Sequence, residues 1–159
     1  MRVHRIAHDV AGEAYEHLLE AALQEAGTFS LVWQDHLQFD SSARAVRTAL
    51  RGLQLRHIKS DRWPGTKLVG RSASVITYRA TSSALDTLLK PGSLFAWRCP
   101  TYPEDLSFQT DEGAVCLATV SHEAQGWILS RTLAAAVADT VTLVPETLPA
   151  GDEQYFTGI

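Results

Sequence analysis

Three side chains in the second half of the sequence are of types that support acid–base or nucleophilic chemistry. Cys99 has a thiol that can attack a substrate, His122 has an imidazole that can take the proton, and Asp105 can orient that imidazole. Cys99 stands between Arg98 and Pro100 with no recognised nucleophile signature around it, which favours a structural thiol. A small hydrolase or transferase that uses His122 with Asp105 or Cys99 is therefore the third of three functional hypotheses, and we lean against an enzyme.

Polar residues also mark both ends of a predicted β-hairpin. Glu104 and Asp105 stand before its first strand, and His122 and Glu123 follow its second strand. Functional groups are often built at the ends of strands, where His122 would be the titrating group and Glu123 or Asp105 its partner. Such residues are more often members of ordinary turns, so the pattern alone leaves this site undecided.

Metal and cofactor motifs are incomplete throughout the chain. Six histidines and two cysteines are present, but no CxxC pair and no pair of histidines within a predicted helix provides the spacing of zinc ligands. A phosphate-binding loop is also incomplete, because GTKLVGRS (65–72) has Arg71 where that motif requires lysine. We therefore predict no metal and no cofactor.

Charge is distributed unevenly along the chain. Residues 44–79 contain nine lysines and arginines and one acid, a formal charge of +8, while the remainder has five basic and seventeen acidic residues, or −12. Arg44, Arg47 and Arg51 have the spacing that places side chains on one face of a helix. Either these cations lie against acids of the same molecule, such as the glutamates of the first predicted helix, or they form an exposed surface for an anionic partner.

The leading hypothesis is a non-enzymatic binding module that engages an acidic protein surface. Immunity proteins that neutralise toxins, and accessory subunits of larger assemblies, are of this general kind. Tryptophan together with arginine is typical of binding hot spots, and we expect Trp63, beside Pro64, to be exposed. The predicted partner-binding residues are Arg44, Arg47, Arg51, Arg62, Trp63 and Lys67.

The alternative partner is a nucleic acid bound by the same residues. Lysine and arginine bind phosphates, and Trp63 is a candidate platform for the stacking of unpaired bases. A sequence pI of about 5.8, with no zinc-finger or RRM signature, weighs against a dedicated nucleic-acid-binding domain.

Composition and cysteine content predict one cytoplasmic domain. The 159 residues, of which 45% are hydrophobic, can bury a core of single-domain size without disulfides. The N-terminal segment lacks the apolar core of a signal peptide, and no apolar stretch is long enough to span a membrane. We expect a cytoplasmic protein that does not bind membranes, with residues 1–145 as the domain and 146–159 as a tail able to dock on it. The oligomeric state stays open.

The helices that position these residues follow from capping residues and apolar spacing. The predicted helices are one from Asp9 to Gly27, one from Ser41 or Ser42 to Gly52, a short one from Ser82 or Ser83 to Leu89, and an alanine-rich one over 133–141.

Strands follow from alternating or continuous apolar runs between turn residues. The predicted strands cover 29–33, 73–80, 106–110 and 114–120, and a fifth, less regular one includes 127–129. Residues 55–71 lose all periodicity and are predicted to be a long loop. Helices interspersed with hairpin-linked strands predict an α+β fold, with a mostly antiparallel sheet of about four to five strands and three to four helices packed on it.

Overall fold

The computed structural model describes all 159 residues and contains ten β-strands and four α-helices. In chain order, the strands are β1 (Arg2–Ile6), β2 (Thr28–Trp33), β3 (Gln54–Ser60), β4 (Arg62–Trp63), β5 (Thr66–Lys67), β6 (Ala73–Arg79), β7 (Glu104–Gln109), β8 (Val115–Val120), β9 (Gln125–Ile128) and β10 (Leu143–Thr147). The α-helices are α1 (Gly12–Glu25), α2 (Ser41–Ala49), α3 (Leu85–Leu89) and α4 (Arg131–Val137).

Eight of the strands form one sheet in the order β10-β1-β9-β8-β7-β2-β6-β3, and every neighbouring pair is antiparallel. The predicted α+β class, single domain and antiparallel sheet are confirmed, and four α-helices agree with the expected three to four. The expected four to five strands are too few, because the main sheet has eight. The remaining strands, β4 and β5, pair with each other as a separate hairpin.

The strands missing from the prediction lie toward the two ends of the sheet. β9, β8, β7, β2 and β6 match predicted strands and are adjacent at its centre, whereas β10, β1 and β3 match none. The long loop expected over residues 55–71 is wrong, because this stretch contains most of β3 and the whole β4-β5 hairpin. Nearly all the side chains of β3 are exposed, so its sequence lacks the apolar alternation that marks a half-buried strand.

The helices pack on one face of the sheet and enclose the main core. This core contains 30 buried residues, and all four helices contribute to it. Strand β2 contributes Phe29, Leu31 and Trp33 to this core, and the intervening Ser30 and Val32 are buried on the other face. Helix α2 joins the same core through Ala43 and Val46, so its arginines lie on the helix-covered side of the sheet.

The N-terminal caps of two helices differ from the predicted ones. The N-cap of α1 is Ala11, and the Asp9 carboxylate instead accepts a hydrogen bond from the Phe95 N–H (2.8 Å). Helix α2 is capped by Asp40, whose Oδ1 accepts a hydrogen bond from the Ser42 N–H (2.9 Å). Both helices form where the apolar spacing predicts them. The residue that stands at each N-terminal cap depends on the path of the preceding chain, which that spacing does not predict.

The opposite face of the sheet is covered by the β4-β5 hairpin and the C-terminal segment. Trp63 packs there with Val32, and Phe156 belongs to a second small cluster on β1 and β8. The Gly65 N–H donates a hydrogen bond to the Tyr155 carbonyl (2.7 Å), which joins the two covering segments. The domain boundary predicted at residue 145 falls within β10, and the chain after β10 packs on this face.

A buried chain of hydrogen bonds ties α1 to α3 and to the segment before β7. The Tyr15 hydroxyl accepts a hydrogen bond from Trp97 Nε1 (2.8 Å) and donates one to the Leu88 carbonyl (2.6 Å). Tyr15→Phe leaves both of these buried groups without a partner. We expect this variant to lower the free energy of unfolding by about 2 to 4 kcal/mol, measured by urea unfolding with far-UV circular dichroism.

Tyr102→Phe is the matched control, because its hydroxyl makes one exposed hydrogen bond, to the Lys90 carbonyl (3.2 Å). The same atom is removed, but water can replace the lost contact, so the expected loss is below about 1 kcal/mol. Equal losses in the two variants would contradict the role assigned to the buried chain.

Candidate functional site

The structure divides the predicted partner-binding residues between the two faces of the sheet. The three arginines of the second predicted helix lie on α2 and the turn after it, on the helix-covered side. The other three residues, Arg62, Trp63 and Lys67, belong to the β4-β5 hairpin on the opposite face. The six residues are therefore not brought together in one patch.

The first group belongs to what we name the α2–β3 surface, the exposed cationic side chains of α2, of the turn after it and of the same side of β3. Its members are Arg44, Arg47, Arg51 and Lys59. Arg56, also on β3, points to the opposite face, and its Nη2 donates a hydrogen bond to the main-chain oxygen of Ile159. The Arg47 guanidinium lies 5.6 Å from the ring centroid of Trp33, and Arg44 Nη1 donates a hydrogen bond to the Phe39 carbonyl (2.9 Å). These contacts orient the guanidinium groups without neutralising their charge.

The acids of the molecule leave most of this positive charge uncompensated. Of the nine basic residues in 44–79, two have a carboxylate oxygen within 4.0 Å: Lys59 pairs with Asp35, and Arg62 with its neighbour Asp61 (3.7 Å). The glutamates of α1 form no ion pair with this segment. Of the other seven, Arg56 donates a hydrogen bond to the main-chain oxygen of Ile159. The remaining six are exposed and have no side-chain carboxylate within 4.0 Å, so no ion pair within the molecule neutralises them.

Trp63 is buried, and the expectation that it is exposed is wrong. Only 3% of its surface is accessible, and its indole packs with Val32 and Val75. Its Nε1 donates a hydrogen bond to Oδ2 of Asp105 (2.8 Å), which lies 42 residues away in sequence. Trp63 therefore fastens the β4-β5 hairpin to the sheet and is not available as an exposed hot spot or a stacking platform.

A cleft of about 300 Å³ lies between the β4-β5 hairpin and the 3₁₀ turn Ser121–Glu123, and we name it the hairpin cleft. Its lining includes Lys67, Arg71, His122 and Glu123, so it presents both signs of charge. His122 Nε2 lies 3.7 Å from a carboxylate oxygen of Glu123, its neighbour in the chain. The cleft therefore combines cationic and anionic side chains, whereas Arg44, Arg47 and Arg51 have no carboxylate partner.

Asp105 holds the two walls of the hairpin cleft in place. It is 1% exposed, and its carboxylate accepts hydrogen bonds from Trp63 Nε1 (2.8 Å) and from the Ser121 N–H (2.9 Å). Burial raises the pKa of Asp105 to about 6, although both hydrogen bonds favour its ionised form. The adjacent Glu104 is also buried and accepts a hydrogen bond from Gln34 Nε2 (2.7 Å). Two buried acids thus contact residues that line the cleft.

No hydrogen bond joins the three candidate catalytic residues to one another. His122 is exposed and makes no hydrogen bond with Asp105, whose oxygens are bonded elsewhere. The Cys99 thiol donates to a main-chain carbonyl (3.2 Å), and burial raises its pKa. A raised pKa keeps the thiol protonated and weakly nucleophilic. The geometry therefore provides no thiolate–imidazole pair and no His–Asp pair.

The raised pKa of Asp105 makes a contribution to stability that depends on pH. Because this pKa is about 6 in the folded protein and near 3.8 in the unfolded chain, the folded state keeps a proton that the unfolded state has released between these values. The contribution to the free energy of unfolding thus falls by about 3 kcal/mol as the pH rises from about 4 to about 7. Asp105→Asn removes this titration. The free energy of unfolding of the wild type minus that of the variant should therefore fall by about 3 kcal/mol between about pH 4 and about pH 7, measured by urea unfolding at each pH.

Asparagine tolerates the left-handed backbone of residue 105 (φ 53°). Its Nδ2 cannot accept one of the two hydrogen bonds, but that loss does not depend on pH, so the pH dependence of the difference reports the carboxylate alone. Trp63→Phe gives a directional check, because it removes a donor that favours the ionised form of Asp105. The pKa of Asp105 should then rise further, and the loss of stability should extend to higher pH. Parallel pH curves for the wild type and Asp105→Asn would show that Asp105 is not the titrating group.

The structure contains neither a candidate metal site nor a candidate membrane-spanning helix. No group of three or more histidine, cysteine, aspartate and glutamate side chains is arranged to hold a metal ion. None of the helices combines the length and the apolar character needed to cross a bilayer.

Comparison with protein-family models, curated proteins and solved structures finds no match to this chain. Function is therefore inferred from the charges and contacts of the chain itself.

Proposed function

We propose that the protein is a non-enzymatic binding module of the cytoplasm, of the immunity-protein or accessory-subunit kind, that engages an acidic protein through its α2–β3 surface. The observation that supports this most directly is the exposure of Arg44, Arg47 and Arg51 without a carboxylate partner. Like charges held close together repel one another, and an acidic partner relieves that repulsion. The positive surface thus favours association with something negative from outside the molecule.

The arginines of α2 are well prepared to bind carboxylates. Arg47 is held over the Trp33 ring, and Arg44 is held by the Phe39 carbonyl. The planar guanidinium group can donate two parallel hydrogen bonds to one carboxylate, which an ammonium group cannot do. Because these side chains are already oriented, binding a carboxylate costs less side-chain entropy than ordering free arginines would.

Neither alternative function has comparable support from the geometry. The nucleic-acid hypothesis uses Trp63 as its stacking platform, but this indole is buried on the face opposite α2. The enzyme hypothesis needs His122 to act with Asp105 or Cys99, but neither forms a hydrogen bond with it and the pKa of the Cys99 thiol is raised. An acidic protein is thus the partner that the exposed groups fit best.

The double variant Arg47→Glu/Arg51→Glu should lose the partner. Reversing two charges at the centre of the α2–β3 surface replaces attraction by repulsion, and we expect affinity to fall by about a hundredfold or more. The partner is first recovered by pull-down from native lysate with the wild-type protein. Its affinity for wild type and variant is then measured by titration calorimetry with the purified partner.

Lys90→Glu/Arg131→Glu is the matched control, because it changes the net charge equally at two exposed positions outside the α2–β3 surface. This control should bind like the wild type, and circular dichroism should show that both double variants are folded. Unchanged affinity of folded Arg47→Glu/Arg51→Glu would reject the proposal. Recovery of a nucleic acid whose binding falls steeply with salt would favour the alternative partner instead.

A further inference from the structure

The two edges of the eight-stranded sheet differ in how well they are protected. At one edge, β10 contains Pro145, which has no N–H and so interrupts the row of backbone donors. At the other edge, β3 has seven residues without proline or glycine and pairs only with β6. From residue 55 to residue 60, the backbone makes no hydrogen bond other than those to β6. This edge therefore presents unpaired backbone donors and acceptors to the outside.

Strand β3 is long and open enough to accept another strand. The register with β6 shifts between Gln54 and Arg56, and the regularly paired part that follows, from Arg56 to Ser60, spans about 17 Å, an ordinary length for a strand. The side chains of Arg56, His57 and Lys59 are exposed, and no other element of the sheet lies beyond β3. The open backbone and the cationic side chains thus occur on the same strand.

We infer that an extended acidic segment of the partner adds to the sheet beside β3 as a ninth strand. This inference rests on the proposed function and specifies how the acidic protein binds. Strand addition gains affinity from main-chain hydrogen bonds, which any sequence can make. The choice of segment then depends on the side chains that flank those bonds, and on β3 these include Arg56, His57 and Lys59 but no acid.

The side chains of β3 define the segment that fits. Ile58 pairs with Val75 and packs toward the hairpin-covered face, so Arg56 points to that face and His57 and Lys59 point to the other. Cross-strand neighbours lie about 5 Å apart, within reach of charge pairing. The matching segment alternates, with an apolar residue opposite Ile58 on one face and acidic residues opposite His57 and Lys59 on the other. The arginines of α2, on the same side as His57 and Lys59, attract further acids beside the strand.

The same cations disfavour pairing of β3 with a second copy of the chain. An antiparallel pair of two β3 strands would bring arginine, lysine and histidine side chains together across the interface, and like charges opposite one another destabilise a sheet. An acidic strand replaces each of these repulsions by attraction. The edge therefore favours a different protein over self-association.

Amide hydrogen exchange can test strand addition, because an edge strand has a distinctive pattern. In the free protein, alternate β3 amides bond to β6 and exchange slowly, while the amides between them face solvent and exchange fast. The probe is a synthetic peptide of alternating glutamate and valine. At saturation, the fast-exchanging β3 amides should slow by at least about tenfold, and the slow set should change little.

The matched control peptide has the same side chains and charges but is N-methylated at every backbone amide, so it cannot donate to β3. It should bind at least about tenfold more weakly than the unmodified peptide. Equal affinities of the two peptides, or the absence of alternating protection among the β3 amides, would overturn strand addition. The proposed function is tested separately, by whether Arg47→Glu/Arg51→Glu loses the native partner. Protection of β3 that rises with the concentration of the protein alone would assign the edge to a second copy and would also overturn the inference.

Discussion

The central strands of this sheet are buried on both faces, and that constraint determines much of the remaining structure. Every residue of β7 and β8 is buried, yet the helices cover only one face. The other face needs a cover, which the β4-β5 hairpin and the C-terminal segment provide. The hydrogen bond from Trp63 to Asp105 fastens this cover. Glycine at position 65 allows the hairpin to approach β8, since a Cβ there would lie 3.0 Å from a Val120 methyl.

Covering the second face also separates the basic segment into two groups. From α2 on one face, the chain runs along the edge as β3 and then turns onto the opposite face as the hairpin. Counting charges locates the basic segment correctly, because charge is a property of the sequence. The face on which each cation lies depends on this crossing of the edge, which no local pattern shows. Trp63 is the clearest case, because its burial depends on an acceptor that lies on β7.

The same reasoning explains which strands the sequence predicts. Central strands bury both faces or one complete face, so their apolar residues form a continuous or alternating pattern, as in β2 and β6. Strands near an edge have fewer neighbours, and β3 and β10 are accordingly rich in exposed side chains. Their pairing depends on backbone hydrogen bonds to a strand already in place, such as β6 or β1. The central strands of the sheet can therefore be predicted from the sequence, and the strands near its edges cannot.

The separation of charge along the chain bears on how a partner approaches in the proposed complex. Residues 44–79 carry +8 and the remainder carries −12, so an acidic protein is attracted to one part of the molecule and repelled by the rest. The Debye length at physiological ionic strength is about 8 Å, so this preference acts mainly at short range, where orientation is decided. Main-chain hydrogen bonds at β3 do not distinguish one extended segment from another. In the proposed complex, the charges therefore determine which extended segment binds. The main-chain hydrogen bonds at β3 provide the directed contacts that exposed charges alone do not.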